Sequence, residues 1–275
     1  MSEHWYSERK GKDETFRKGE ESISSPFYVP MECQEITENS KQHVTVDVIV
    51  EEKFELFVNN VHVTTFFASP YELEELALGF LVCEGFIEPD TQVDSIKIEE
   101  KSIFCEIEIK TPELEELTHL ERCGTTSYRK DVIKHINSDT KFNTKAITHG
   151  VSQLKELGRA WHSTGGAHTS IIYNNQGEVL FFCEDVGRAC SMDKVVGKAL
   201  MNGVNLSECA LATTGRLAST MVSKAMNAGI PLISSKGATV RESVELAEKA
   251  GMTLVAFVRG KNLYVYAGEE RIKTK

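Results

Sequence analysis

At 275 residues the chain fits one large α/β domain or two small ones, so length leaves the domain count open. Hydrophobic residues at 41%, charged residues at 26% and only 6 prolines exclude a fibrous or disordered chain. The balance of 31 Lys and Arg against 41 Asp and Glu gives a net charge of -10, which repels a polyanionic backbone and argues against nucleic-acid binding.

Residues 1–42 read as a polar, irregular N-terminal segment with one apolar patch at Phe27, Tyr28 and Val29. The opening MSEHWYSERKGKDETFRKGEES is charged throughout, and no apolar run approaches about 18 residues anywhere. Neither a membrane span nor a secretory signal is expected, which places the chain in the cytoplasm. From His43 the pattern alternates, with Val44, Val46, Val48 and Val50 on one face. A strand Phe54 to Val58, a turn at Asn59-Asn60 and a strand Val61 to Phe67 follow, and the three strands read as a β-meander. Pro70 opens a helical pattern (Leu73, Leu76, Ala77, Phe80, Leu81, Glu84) that Gly85 closes. Strands near Val93 to Ile98 and Ile103 to Ile109 complete a small α+β subdomain over 43–110. Residues 111–149 are charged and poorly periodic, a long loop containing Cys123-Gly124-Thr125-Thr126-Ser127 with Arg129 and Lys130 behind it.

From Gly150 helices and strands alternate. The spacing predicts helices over Val151 to His162, Gly187 to Met201, Leu217 to Ala228 and Val240 to Ala250. Strands are predicted at His168 to Tyr173, Val179 to Phe182, Ala210 to Thr213, Leu232 to Ser235, Leu254 to Val258 and Leu263 to Tyr266. This is the pattern of an α/β/α sandwich over 150–275, in which ligands sit at the strand-to-helix turns.

The seven cysteines are odd in number and scattered, so they are expected as thiols rather than a disulfide framework. Cys123 lies in a polar loop with Arg122, Arg129 and Lys130 near enough to favour a thiolate, although the same local sequence also suits an ordinary exposed or half-buried cysteine. Cys83, Cys105 and Cys183 fall within apolar patterns and read as small core residues. No Cys-x-x-Cys pair, no His-x-Glu ahead of a Pro-Cys-x-x-Cys and no His-Glu-x-x-His run supports an intrinsic zinc or any other metal, and no Gly-x-Ser-x-Gly elbow supports a hydrolase. Four turns combine small and basic residues suited to anions: Thr164-Gly165-Gly166-Ala167-His168, Thr213-Thr214-Gly215-Arg216, Ser234-Ser235-Lys236-Gly237 and Arg259-Gly260-Lys261-Asn262. Glu184 and Asp185, at a helix start, suit either capping or a ligand role.

In this order the segments LALGFLVCEGFI, Cys123-Gly124, TGGAHTS, EDVGRACSMDKVVG and TTGRLASTMVSKAMNAGIPLISSKGATVRESVELAEKAGMTLVAFVRG resemble the FdhD family of formate dehydrogenase accessory sulfurtransferases. The resemblance runs from about residue 40 to the C-terminus. It implies a cytoplasmic homodimer whose larger half is a cytidine-deaminase-like α/β/α sandwich without zinc ligands. It also implies that sulfur from a cysteine desulfurase is held as a persulfide on Cys123. That sulfur is then passed to the molybdenum bis(molybdopterin guanine dinucleotide) cofactor on its way to formate dehydrogenase. The implied cofactor-binding residues are Phe257, Val258, Arg259, Gly260, Lys261 and Asn262, with Thr214, Gly215, Arg216, Lys236 and Gly237 beside them. Two departures stand out. Thr126 occupies the second position of the family's Cys-Gly-x-Cys, leaving one loop thiol, and Ala189-Cys190 replaces the usual His-Asn after EDVGR. Cys190 could then restore a second thiol or simply pack on its helix. A carrier that shields the cofactor without moving sulfur is the alternative from another class; a deaminase is disfavoured by the missing metal ligands.

Overall fold

The computed structural model describes residues 27–108 and 133–273, together with the backbone of two short strands, Arg122–Cys123 and Thr126–Ser127. Strands β1 (Tyr28–Ile36) and β2 (Lys41–Ile49) pair with each other as an antiparallel ribbon. This corrects two expectations. The segment before residue 42 is not irregular throughout, because 28–36 is strand. The valine-rich strand also leaves the expected meander, because its partner is β1 and not β3 (Glu52–Val58). Instead β3 pairs with β4 (Val61–Ala68) through Asn59-Asn60, whose φ values of 48° and 66° are those that a two-residue type I′ hairpin demands and that Asn tolerates. On its other side β3 takes β6 (Ser102–Ile107) in parallel, with β5 (Val93–Glu99) outside it, so the sheet order is β4-β3-β6-β5.

Between β4 and β5 runs α1 (Leu73–Cys83), which starts three residues after Pro70 and ends before Gly85, φ 74°. Beyond the strands β7 (Arg122–Cys123) and β8 (Thr126–Ser127), β9 (Phe142–Asn143) leads into α2 (Thr144–Leu157). The Asn143 side chain accepts the Ala146 N–H at 2.7 Å and caps α2. The helix expected over 151–162 is two helices, because α2 ends at Gly158 and α3 (Arg159–Thr164) restarts there. A Cβ on Gly158 would stand 2.7 Å from Thr169 Oγ1, so any larger residue there would force the threonine side chain to shift.

The remaining elements are β10 (His168–Tyr173), β11 (Val179–Asp185), α4 (Arg188–Met201), β12 (Ala210–Thr213), α5 (Ser219–Asn227), β13 (Leu232–Ser235), α6 (Arg241–Ala250), β14 (Thr253–Arg259), β15 (Asn262–Ala267) and β16 (Ile272–Lys273). Six of these strands form one sheet in the order β11-β10-β12-β13-β14-β15, in which β12, β13 and β14 are parallel and the other pairings antiparallel. Period-two alternation sends Ile172, Leu211, Ile233 and Leu254 to one face, where they join residues of α1, α4, α5 and α6 and of the four-stranded sheet in one core. Ile171, Tyr173, Ala212, Leu232 and Val255 face the other way, against Ile147, Val151 and Leu154 of α2. Helices therefore cover both faces, and each fully buried aliphatic side chain contributes about 1.5–3 kcal/mol.

The two halves share the first core, and their seam is the crossing of α1 over α4. Gly79 and Gly197 let the backbones touch: Cβ atoms there would lie 1.7 Å from the Asp193 carbonyl oxygen and 2.0 Å from that of Glu75. Buried ion pairs line the seam. Lys194 meets Asp185 at 2.7 Å, Lys198 meets Glu72, and Lys224 meets Glu84 at 2.7 Å and Asp193 at 2.9 Å. Burial opposes charge on Lys224, yet the two carboxylates outweigh it and raise its pKa. Burial pushes Asp193 up to about 6 against the pull of Lys224.

Candidate functional site

The pairing pattern gathers one edge of the six-stranded sheet. Parallel β12, β13 and β14 end on the same side, where Thr213 stands opposite Ser235 and Ser234 opposite Val255. Antiparallel β10 begins there, since Ser170 faces Thr213, and β11 ends there, since Asp185 faces His168. Four turns that are far apart in sequence thus become neighbours, and hydrogen bonds stitch them together. Thr214 N–H reaches Thr169 O at 3.0 Å, Ser235 Oγ donates to Gly215 O at 2.7 Å, Gly237 N–H donates to Ser235 Oγ at 2.9 Å, and Phe257 N–H donates to Gly237 O at 3.0 Å.

The sequence-derived cofactor residues fall along this edge. Thr214, Gly215 and Arg216 follow β12, with the Arg216 side chain exposed. Lys236 and Gly237 follow β13. Lys236 is half-buried, and burial, with Lys155 nearby, lowers its pKa. Phe257, Val258 and Arg259 end β14, and Gly260, Lys261 and Asn262 make its exposed turn into β15. The strand breaks register between Ala256 and Arg259, and Phe257 adopts φ 50°, a bulge that re-aims its ring. Val258 differs from its neighbours: it is buried in the second core, so only its backbone is placed to meet a ligand. Cys123 pairs through its backbone with Thr126, but its side chain, like Gly124, lies outside the described residues.

At the hairpin a hollow of about 380 Å³ is lined by Phe257, Arg259, Asn262, Tyr264 and Tyr266. Phe257 and Tyr264 meet edge to face, ring centroids 6.1 Å apart, and the Arg259 guanidinium lies 5.7 Å from the Phe257 centroid. Such a surface stacks a planar base. Sequence reasoning missed Tyr264 and Tyr266. The signal was present in β15, where two aromatics alternate with Leu263 and Val265 and so leave the core face.

The carboxylates at the start of α4 are consumed by the fold. Glu184 accepts the Ala160 and Trp161 N–H groups at 3.0 and 3.2 Å, capping α3. Asp185 accepts from Gly187 and Ser69 and pairs with Lys194. Glu184 is therefore a cap, and Asp185 a buried ion-pair partner that also braces the turn before α4. Cys190 is buried on α4 with its thiol pKa raised by burial, and the thiol donates to Phe67 O at 3.9 Å, so it packs rather than offering a thiolate. Cys83, Cys105, Cys183 and Cys209 are buried too, and burial raises their pKa values. Among the described residues Cys33 alone is an exposed thiol, on the β1–β2 ribbon. No group of three metal-ligating side chains occurs among the described residues, nor is any described helix long and apolar enough to cross a membrane.

Comparison with known proteins agrees with this architecture. The sulfur carrier protein FdhD of Saccharolobus solfataricus is 36% identical over 212 residues, 74% of this chain and 81% of that protein. The sulfur carrier protein FdhD of Methanothermobacter thermautotrophicus is 30% identical over 237 residues, 86% and 95% of the two chains. A crystal structure described as that of a formate dehydrogenase accessory protein from Desulfotalea psychrophila superposes with a TM-score of 0.75 at 25% identity, covering 90% of this chain and 100% of its own. The profile of the FdhD/NarQ family matches residues 49–273, from the end of the ribbon through β16, and the chain belongs to that family.

Proposed function

We propose that this protein is a cytoplasmic sulfur carrier that supplies sulfur to the molybdenum bis(molybdopterin guanine dinucleotide) cofactor of a formate dehydrogenase. The observation that carries the reading is the sheet edge. On a chain of net charge -10, the side chains of Arg188, Arg216, Lys236 and Lys261 gather on one side without an ion-pair partner among the described residues, beside an aromatic hollow. Unpaired cations attract phosphates, and the aromatic hollow suits a purine, which together fit a guanine dinucleotide as bound substrate. The names of the relatives support the sulfur and formate dehydrogenase parts of the reading. Helices on both faces of one mixed sheet support the cytidine-deaminase-like description of the larger half.

Cys123 is the thiol assigned to the sulfur. Five of the six described cysteines are buried, and buried thiols stay protonated and out of reach of a donor protein. The Cys123 thiolate attacks the terminal sulfur of the desulfurase persulfide. One S–S bond forms as the donor's breaks, the bonding pair leaves with the donor's cysteine sulfur, and Cys123 holds the persulfide. With Thr126 in the place of a second cysteine, that persulfide persists instead of collapsing to a local disulfide.

The test is peptide mass spectrometry after incubation with a cysteine desulfurase and cysteine. The expected result is one added sulfur on Cys123, removed by reductant and absent from Cys123→Ala, with Cys123→Ala unable to support an active formate dehydrogenase. If Cys123→Ala supports full dehydrogenase activity, the non-transferring cofactor carrier, which the lone loop thiol favours, replaces this reading.

A further inference from the structure

Helix α4 begins at the sheet edge with Arg188 and ends about 20 Å away with Met201. At that far end apolar side chains from three elements lie uncovered among the described residues. Leu78 of α1, Val93 and Ile96 of β5 and Leu200 of α4 pack against the first core yet are only half-buried, and Met201 is 43% exposed. With Glu74 they line a groove of about 350 Å³. Asp90 stands between two further residues of its wall, Pro89 and Thr91, and both carboxylates are exposed without an ion-pair partner among the described residues. The part of the chain that carries Cys123 leaves and rejoins the body beside this groove. Strand β6 ends at Ile107, whose register partner is Val93, and the described run 27–108 closes one residue later. The next run opens at Ile133, where Lys134 pairs at 2.6 Å with Glu88, the neighbour of Pro89.

We propose that the groove between α1, β5 and the end of α4 docks the cysteine desulfurase that loads Cys123, taking an apolar side chain of the donor that is flanked by Lys or Arg. The inference rests on the sulfur-carrier reading above and adds the surface on which its first step takes place. Position supports it. Sulfur moves only between sulfur atoms in contact, so the donor must bind within reach of Cys123, which is ten residues, at most about 35 Å of chain, from Ile133. The two roots of that tether flank the groove. The lining supports it too. One carboxylate and one threonine hydroxyl are too few polar groups to orient a small molecule, whereas uncovered aliphatic and methionine side chains inside a charged rim are what a protein partner buries at the centre of an interface. Charge selects the partner: Glu74 and Asp90 favour a basic surround, and a second copy of this chain, at net -10, brings like charge to the rim.

The test compares the rate of persulfide formation on Cys123, read by mass spectrometry, with two donors. One is a cysteine desulfurase with cysteine; the other is glutathione persulfide, whose terminal sulfur passes to the Cys123 thiolate as glutathione thiolate leaves. Met201→Arg fills the groove and cancels its acidic rim from a side chain that is already exposed. The variant is expected to load about tenfold or more slowly from the desulfurase and at the wild-type rate from glutathione persulfide, with its affinity for GDP in titration calorimetry unchanged. Glu74→Gln is expected to slow the desulfurase reaction severalfold, a difference that shrinks at high salt. Unchanged loading of Met201→Arg from the desulfurase overturns the docking groove and leaves the sulfur-carrier reading standing. Slower loading of that variant from both donors overturns it as well, because the change then lies at the thiol. A wild-type protein that loads from glutathione persulfide but not from the desulfurase removes the desulfurase as the occupant and keeps Cys123 as the sulfur-bearing thiol. A wild-type protein that takes sulfur from neither donor removes both readings.

Discussion

Two regions of this molecule use the same residue types to opposite ends. In the α1–α4 seam Lys194, Lys198 and Lys224 are buried and each faces a carboxylate, whereas along the sheet edge Arg188, Arg216 and Lys261 are exposed and face none among the described residues. The seam joins the two halves, and its charges are satisfied by the chain itself. The edge leaves its charges to be satisfied by something else. A net charge of -10 makes the distinction sharper, because cations left unpaired amid excess carboxylates occupy places that the carboxylates do not reach. Sequence alone cannot separate the two sets: Lys194, Lys198 and Arg188 stand on one helix, within eleven residues.

The comparison breaks first in the seam. Lys224→Met leaves Glu84 and Asp193 buried without their shared cation, and a loss of about 3–5 kcal/mol in chemical denaturation is expected. A loss below about 1 kcal/mol would mean that the seam tolerates unpaired charge and that pairing does not distinguish the regions. Gly79→Ala is the next largest. Its Cβ meets a backbone oxygen that no side-chain rotation can move, and roughly 1–3 kcal/mol of stability should be lost while the folded fraction keeps its affinity for GDP. At the edge the consequence inverts. Gly215→Ala pushes on the Arg188 stem, so a stability change of about 1 kcal/mol should accompany a severalfold loss of GDP affinity measured by titration calorimetry. Two glycines that each make room for a neighbour then give opposite readouts.

What could be read in the sequence follows the range of the interaction. The strands Ala210–Thr213 and Leu232–Ser235 were legible to the residue because they are short apolar runs bounded by turn residues, and α4, α5 and α6 were placed to within two residues at most ends by period and glycine stops. Of the β1–β2 ribbon the valine alternation of β2 was legible, but β1 and the pairing of the two were not. Its strands are exposed on both faces, so pairing between residues as far apart as Tyr28 and Ile49 leaves no burial pattern. The break at Gly158 was hidden for a related reason, because the glycine there packs against Thr169, which arrives from β10. At the site, the small-plus-basic turns were visible locally, but their convergence is a property of sheet order. Thr213 and Ser235 are 22 positions apart and register neighbours. The roles of Glu184 and Asp185 stayed open for the same reason, since their partners lie on three separate segments: Ala160 and Trp161 on α3, Ser69 after β4, and Lys194 on α4.

The smallest expected effect tests whether the edge is built for a ligand rather than for the fold. His168 has its pKa held below the ordinary 6.5 by burial and by Arg188, so in the ligand-free protein the unfolded chain binds more protons than the native one as pH falls through that region. Stability contributed by the neutral ring is complete above 6.5 and is lost progressively as pH drops below it. His168→Gln removes this component, and the difference between wild type and variant in denaturation midpoints should shrink steadily from pH 7.5 to pH 5.5. Saturating GDP should reverse the sign, because a bound phosphate favours the imidazolium and gives the wild-type complex a gain on acidification that the variant lacks. Seam residues predict no such reversal: Asp193 and Lys224 titrate against each other inside the protein, and a ligand at the edge does not change what they face. A pH profile unaltered by GDP would place His168 with the seam, as a group whose charge state serves only the fold.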